Sequence, residues 1–394
     1  MRKTLLATLV IPALAACGGG GEEQMQPVVP PPVPTVTQAP TASAPPPKPV
    51  EPPKPAMSMV DMQKKYFADD QAAWNARDAK KAVSLLTDDG VMAMTGPRGW
   101  EEQKGRDAAE KRMSGYFTAF PDMAMKYTRV ILKGDQAVAE FIASGTNTGE
   151  MMGEKPSGKK MGHRGLAWVW FDKDGKVKRV QMYMDQGTMI GQLGKHPDWT
   201  AKWRPVEVVP AAETEWVVAK DGEDQSKTEA SYRAFIDATL KKDEKAMAPF
   251  LADDAVWADW SMAADTTGSK AIMKMASGWS ASFPDMKNAT KGCLGAGDYL
   301  ACEGEWSGTF RGAMGGNKPT NQAGTVHYVW VVKMKDGKAH SVQAYSNGLE
   351  FAGQFGLLKE KAAPKDKGDK GDKGDKGPKP GPKPVDKPKD APKK

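Results

Sequence analysis

The side chains able to do chemistry in this sequence are few, and their spacing narrows what they can do. There are only four histidines and three cysteines. No Cys-x-x-Cys pair and no cluster at metal-ligand spacing is present, so no zinc constellation is expected. No Walker or dinucleotide glycine pattern stands between a strand and a helix, so no cofactor is expected either. What remains is acid–base chemistry or ligand holding in an apolar site. There burial can raise one inward carboxylate until it exchanges protons near neutral pH.

The cysteines divide by position. Arg2 and Lys3 are followed by an apolar run from Leu5 to Leu14, too short to span a bilayer, and then by small Ala15 and Ala16 before Cys17. This reads as a cleavable export signal over residues 1–16. Leu14-Ala15-Ala16-Cys17 resembles the lipobox of bacterial lipoproteins, which implies palmitate-type acylation of Cys17 and a stable membrane anchor. Gly18 stands where inner-membrane retention signals carry Asp, which favours the outer membrane, facing the periplasm. In that oxidising compartment disulfides are allowed. If Gly297-Asp298 makes a two-residue hairpin turn, Cys293 and Cys302 fall opposite each other within disulfide reach, the alternative being two free thiols.

The net charge of +7 comes mostly from the far end, where residues 361–394 hold twelve Lys and six Asp. The folded parts are therefore near neutral, and nucleic acid is not an expected partner. Residues 359–394 read as a disordered, solvated tail that could touch anionic cell-envelope components. Its glycine-every-third repeat runs only from Gly368 to Gly377, too short for a collagen helix. Residues 17–56, dominated by proline from Pro27 to Pro55, read as a disordered, semi-rigid linker.

An internal repeat organises the middle. Phe120-Pro121-Asp122-Met123 returns 163 residues later as Phe283-Pro284-Asp285-Met286. Nearly the same interval relates Asp174-Gly175-Lys176 to Asp336-Gly337-Lys338, and Gln181 with Tyr183 to Gln343 with Tyr345. Each copy is long enough to bury its own core. Each opens with helical spacing of apolar residues, as in Tyr66, Ala73, Trp74, Ala82 and Leu85, and then Tyr232, Phe235, Ala238 and Met247. A short strand follows (91–94; 255–258), and a third helix must stop at the Phe-Pro pair. Strands separated by Gly-Asp or Asp-Gly turns complete each copy. The expected class is α+β, with helices packed on a curved antiparallel or mixed sheet in domains at 57–200 and 227–358, joined by a linker at 201–226.

The run Gly145-Thr146-Asn147-Thr148-Gly149-Glu150, Lys155-Pro156-Ser157-Gly158, and the ending Asp185 through Gln192-Leu193-Gly194 resemble the SnoaL-like polyketide cyclase family. This family belongs to the nuclear transport factor 2-like superfamily. The resemblance implies two tandem cone-shaped domains, each with a sheet wrapped around an apolar pocket. It also implies Asp185 as proton shuttle, matching the aspartate at the end of the last strand in catalytic members. Gln181 and Tyr183 share its strand face by period two, and together they would form a polar strip at the pocket mouth. His163, on the preceding strand, would assist or bind. In the second copy the aspartate position is Asn347, which cannot titrate, so catalysis would be confined to the first. Met92, Met94, Met151, Met152, Met161, Met182, Met184 and Met189 could line an adaptable pocket.

Three functions follow. The first is binding of a small apolar or amphipathic molecule, with Gln181, Tyr183, His163, Gln343, Tyr345 and Asn347 as polar contacts. The second is an ester cyclase or isomerase using Asp185 as general acid–base. The third is a non-catalytic structural or interaction protein in which two cones form an internal pseudo-dimer.

Overall fold

The computed structural model describes residues 57–151, 153–195 and 203–358. Cys17, the segment read as an export signal (1–16), the proline-rich segment read as a linker (17–56) and the lysine-rich tail (359–394) lie outside them. The described residues fall within one unit beginning at Ala56. They build two α+β domains, each a mixed sheet with flanking helices.

The first domain runs α1 (Met59–Ala76), α2 (Ala79–Ser84), β1 (Leu86–Gly96), β2 (Gly99–Lys104), α3 (Arg106–Ala119), β3 (Ala124–Lys133), β4 (Gln136–Thr146), β5 (Lys160–Phe171), β6 (Val177–Met184) and α4 (Gln186–Gln192). After it β7 (Glu215–Val218) adds in parallel to the free edge of β3. The second runs α5 (Ser226–Lys241), α6 (Glu244–Met247), β8 (Leu251–Asp259), β9 (Thr266–Thr267), α7 (Ser269–Ser282), β10 (Lys287–Ala296), β11 (Tyr299–Thr309), β12 (Ala323–Lys335), β13 (Lys338–Ser346) and α8 (Gly348–Gln354). The strand orders, β2-β1-β6-β5-β4-β3-β7 and β10-β11-β12-β13-β8-β9, are mixed because β1 runs parallel to β6 and β8 to β13.

Local chemistry fixes the repeated elements. Ser58 caps α1 through the Asp61 amide (3.1 Å), and Arg77 ends the helix in the left-handed region. The Phe-Pro-Asp-Met phrase is a clasp. α3 and α7 stop at Ala119 and Ser282 before buried Phe120 and Phe283. Asp122 and Asp285 then accept from the backbone amide and hydroxyl of Thr146 and Thr309, at 2.6–2.8 Å. Gly149 follows because a Cβ there would lie 2.0 Å from the Thr118 carbonyl oxygen. Asn147, in the loop between, is buried and donates to the Ala119 and Gly149 carbonyls. It is therefore a structural residue.

Cys293 and Cys302 sit at one rung of the β10–β11 hairpin and are joined as a disulfide. Their turn is Gly297-Asp298, bracketed by the Ala296–Tyr299 pair. Breaking the bond with Cys293→Ser and Cys302→Ser is expected to cost about 2–3 kcal/mol, the loop-entropy scale for so short a closed loop. Urea unfolding of oxidised wild type and double variant would measure it, and equal midpoints would refute it.

The sheets of the two domains pack face to face. Ile131, Val138, Leu166 and Trp168 meet Leu294, Ala301, Val329 and Val331 in one buried cluster. The opposite face of the first sheet meets its own helices in a second cluster. Both faces are thus buried, so period-two alternation assigns residues to faces without saying which face turns toward the helices.

Candidate functional site

A cavity of about 440 Å³ lies inside the first domain. α1, α2 and α3 supply Tyr66, Asp70, Trp74, Val83, Met113 and Tyr116, and the inner sheet face supplies Met125, Tyr127, Phe141, Ala143, His163, Ala167, Val180 and Met182. The methionine expectation is largely met. Met92, Met94, Met151, Met182, Met184 and Met189 line the cavity, joined by Met113 and Met125. Met161 is buried but not at the wall, and Met152 lies outside the described residues.

The polar strip faces the other way. On β6, Val180, Met182 and Met184 point into the cavity, so Gln181 and Tyr183 point at the second domain. The Tyr183 hydroxyl donates to Glu303 Oε2 at 3.0 Å, and the Gln181 amide is placed to donate to the same oxygen at 3.1 Å. The pseudo-symmetric Tyr345 hydroxyl donates to Glu140 Oε1 at 2.6 Å, while Gln343 accepts from the Trp260 indole at 3.1 Å. Gln181, Tyr183 and Tyr345 thus join the domains, Gln343 bonds within the second, and none of the four lines the cavity.

Asp185 is likewise corrected. Its carboxylate caps α4, accepting from the amides of Gly187 (3.0 Å) and Thr188 (2.8 Å), and accepts from Gly348 at the start of α8 (2.7 Å). Burial pushes its carboxyl up while the Thr188, Gly348 and Gly187 bonds pull it down. With its acceptor sites filled by backbone and no place in the cavity wall, it holds a junction. Asn347 mirrors it, accepting from Leu349 (3.0 Å) and Gln186 (3.2 Å). Its Nδ2 donates to Thr95 O at 2.8 Å, a bond an aspartate could not make. The amide is thus fitted to this position, where an ionised carboxylate would lose that bond.

Of the sequence-derived site residues, only His163 lies in the cavity wall. Its Nδ1 lies 3.3 Å from the Arg164 carbonyl, and its buried Nε2 has no partner. Burial lowers its pKa from 6.5 to about 4, so the ring is neutral at pH 7, with Nδ1 as the donor and Nε2 as an open acceptor.

Sequence reasoning missed Asp70. It stands on α1 on the stripe of Tyr66, Ala73 and Trp74, is buried, and accepts from the Tyr127 hydroxyl at 2.6 Å. Burial raises its pKa from 3.8 to about 6, against lowering bonds from Tyr127 and Trp74. A charge-bearing residue in the middle of an apolar helical stripe was the readable signal.

The two groups pull stability in opposite directions with pH. Between about pH 4 and 6 the folded chain keeps a proton on Asp70 that the unfolded chain has released, so this contribution falls as pH rises. Between about pH 4 and 6.5 the unfolded chain holds a proton on His163 that the folded one lacks, so that contribution rises. Relative to wild type, Asp70→Asn should gain stability as pH rises through its window, by about 3 kcal/mol in all. His163→Gln should lose its relative advantage over the same range. Urea unfolding at intervals from pH 4 to 7 would check the opposed slopes, and parallel difference curves would refute them.

At positions that line the first domain's cavity, the second domain carries larger aromatic side chains. Ala143 pairs with His163 across β4–β5, and Trp306 with Val326 at the equivalent rung of β11–β12. By the same register Ala167, opposite Met182, becomes Trp330 opposite Ala344, and Met92, opposite Val180, becomes Trp257 opposite Val342. Asp70 becomes Phe235, each seven residues before the left-handed residue that ends its helix. Trp257 meets Trp330 edge to face at 4.6 Å, and Trp306 stacks on Phe355 at 5.5 Å.

The model of the family described as "SnoaL-like polyketide cyclase" matches the chain twice, over residues 68–193 and 229–355. No curated protein matches it. Similar solved structures include AclR from Streptomyces galilaeus, 25% identical, covering 36% of this chain and 89% of that one with a TM-score of 0.31. Wild-type IdmH from Streptomyces antibioticus is 24% identical, covering 34% and 98% at a TM-score of 0.30. TsrD from Streptomyces laurentii is 20% identical, covering 35% and 96% at a TM-score of 0.30.

Proposed function

The chain belongs to the SnoaL-like polyketide cyclase family, and from that premise we propose that its first domain is a receptacle for a small, largely apolar molecule. The observation that carries this is the cavity of about 440 Å³, walled by thioether and aromatic side chains with two buried polar groups inside it. Size and lining match what small-molecule pockets need. On this reading the first sheet wraps the cavity as a cone within residues 57–200. The second domain, within 227–358, is its structural partner.

A cyclase or isomerase reading has one observation in its favour. Asp70, hydrogen-bonded to Tyr127 in the cavity wall, has its pKa lifted to about 6, a value suited to proton exchange near neutrality. Asp70 would then do the work first sought at Asp185. The sequence up to Cys17 supports a further part of the reading, that acylation there holds the receptacle at the outer membrane, facing the periplasm.

Native mass spectrometry of the purified protein tests the receptacle. The expected result is a small-molecule adduct, or uptake of an added apolar naphthalene probe, released on unfolding. A protein that carries no adduct and takes up no such probe would sink the reading.

A further inference from the structure

The hydrogen-bond donors at the cavity wall are largely engaged. The Tyr127 hydroxyl bonds Asp70, the Tyr116 hydroxyl contacts Met189 Sδ at 3.6 Å, and Arg112 pairs with Glu101 at 3.4 Å. The acceptors are not matched. Among the described residues no cationic side chain pairs with buried Asp70, whose carboxylate is held by the neutral donors of Tyr127 and Trp74. His163 Nε2, also buried, has no partner. The rings of Tyr66, Trp74, Tyr127 and Phe141 stand in the same wall. Phe141 touches both Tyr127, at 6.4 Å between ring centres, and His163, at 6.5 Å, so one guest could reach both polar groups across it.

A buried acid without a cation, an open imidazole acceptor and four aromatic rings in the wall form a set of complementary demands. A protonated amine meets all three, with N–H groups for the acceptors and positive charge for the carboxylate and the rings. Polarizable thioethers accept the apolar remainder. Three acids line the cavity, Asp70, Glu101 and Glu150, against the single cation Arg112, itself paired. Entry is therefore biased toward positive charge.

The geometry points to an organic ammonium ion, an apolar amine whose N–H groups reach Asp70 and His163, as the ligand class of the first-domain cavity. This rests on the receptacle reading. The groups facing Asp70 are Tyr66 and Trp74 on its own helix and Tyr127 on β3. None supplies the missing positive charge near neutral pH.

Isothermal titration of the full chain at about pH 7.5 with three matched probes decides it: naphthylmethylamine, naphthalenemethanol and naphthoate. The amine is expected to bind at least about tenfold more tightly than the alcohol, and the carboxylate most weakly. Asp70→Asn should bring the amine down to about the alcohol's affinity, and an alcohol that still binds the variant shows that the cavity is intact. Alcohol or carboxylate binding as tightly as the amine to wild type would overturn the inference while sparing the receptacle. So would an Asp70→Asn protein that keeps the amine preference. Failure of all three probes would overturn the receptacle and the inference together.

Discussion

Ala143→Trp is expected to weaken binding of an apolar probe such as naphthalenemethanol at least about a hundredfold, while moving unfolding stability by no more than about 1 kcal/mol. The second domain shows that this side chain fits. At the equivalent rung Trp306 occupies the space that Ala143 leaves open, and its indole packs against Phe283 and Phe355 at 4.9 and 5.5 Å between ring centres. The indole would project into a cavity of about 440 Å³, so it displaces the guest and not the core. Filling an empty hollow tends to offset the strain of a larger residue. Titration paired with a urea melt measures both quantities. Undiminished binding would mean that the cavity is not where the probe goes. Lost binding with collapsed stability would mean that the space is not free.

The second large effect lies between the domains. Arg129→Met should destabilise the chain by about 3–5 kcal/mol, the scale for stranding a buried charge. Glu140 is buried among the packed sheets and bonded by Tyr345, and its one cationic partner among the described residues is Arg129. The same guanidinium pairs with Glu215 at 2.8 Å and lies over the Tyr299 ring at 4.4 Å. Removing it leaves the Glu140 carboxylate with a phenol for company. The double variant Arg129→Met, Glu140→Gln should recover most of the loss, because the stranded charge then disappears. Chemical denaturation would compare the three proteins. A double variant as unstable as the single would show that the cost is lost packing and not uncompensated charge.

Much of this arrangement was legible in the residues. The repeat, the first helices of each copy, the third helix that stops at the Phe-Pro pair and the cysteine rung all follow from local rules of proline, turn and alternation. The sequence also places Gln181, Tyr183 and Asp185 together; Gln181 and Tyr183 do share one side of the strand, and Asp185 falls just past its end, as the cap of α4. It is silent on which side meets the helices, because each side of the sheet is buried and neither reads as a solvent face. Polar residues that looked like cavity furniture instead found partners on the second domain, where Glu303 and Gly348 wait for them. Asp70 escaped notice for the opposite reason. Its partner Tyr127 is far along the chain and on another element, and only the folded structure brings the two together.

The reciprocal contacts at positions 185 and 347 carry a consequence of their own. Each residue seals the start of its own short helix and reaches across to the start of the other. In a pair of identical subunits one residue type would have to serve at both places. Two aspartates there would set like charges against each other, and two asparagines would give up the anion. Joining the halves in a single polypeptide lets the axis hold one of each, so the covalent tether permits a difference that exact symmetry would forbid.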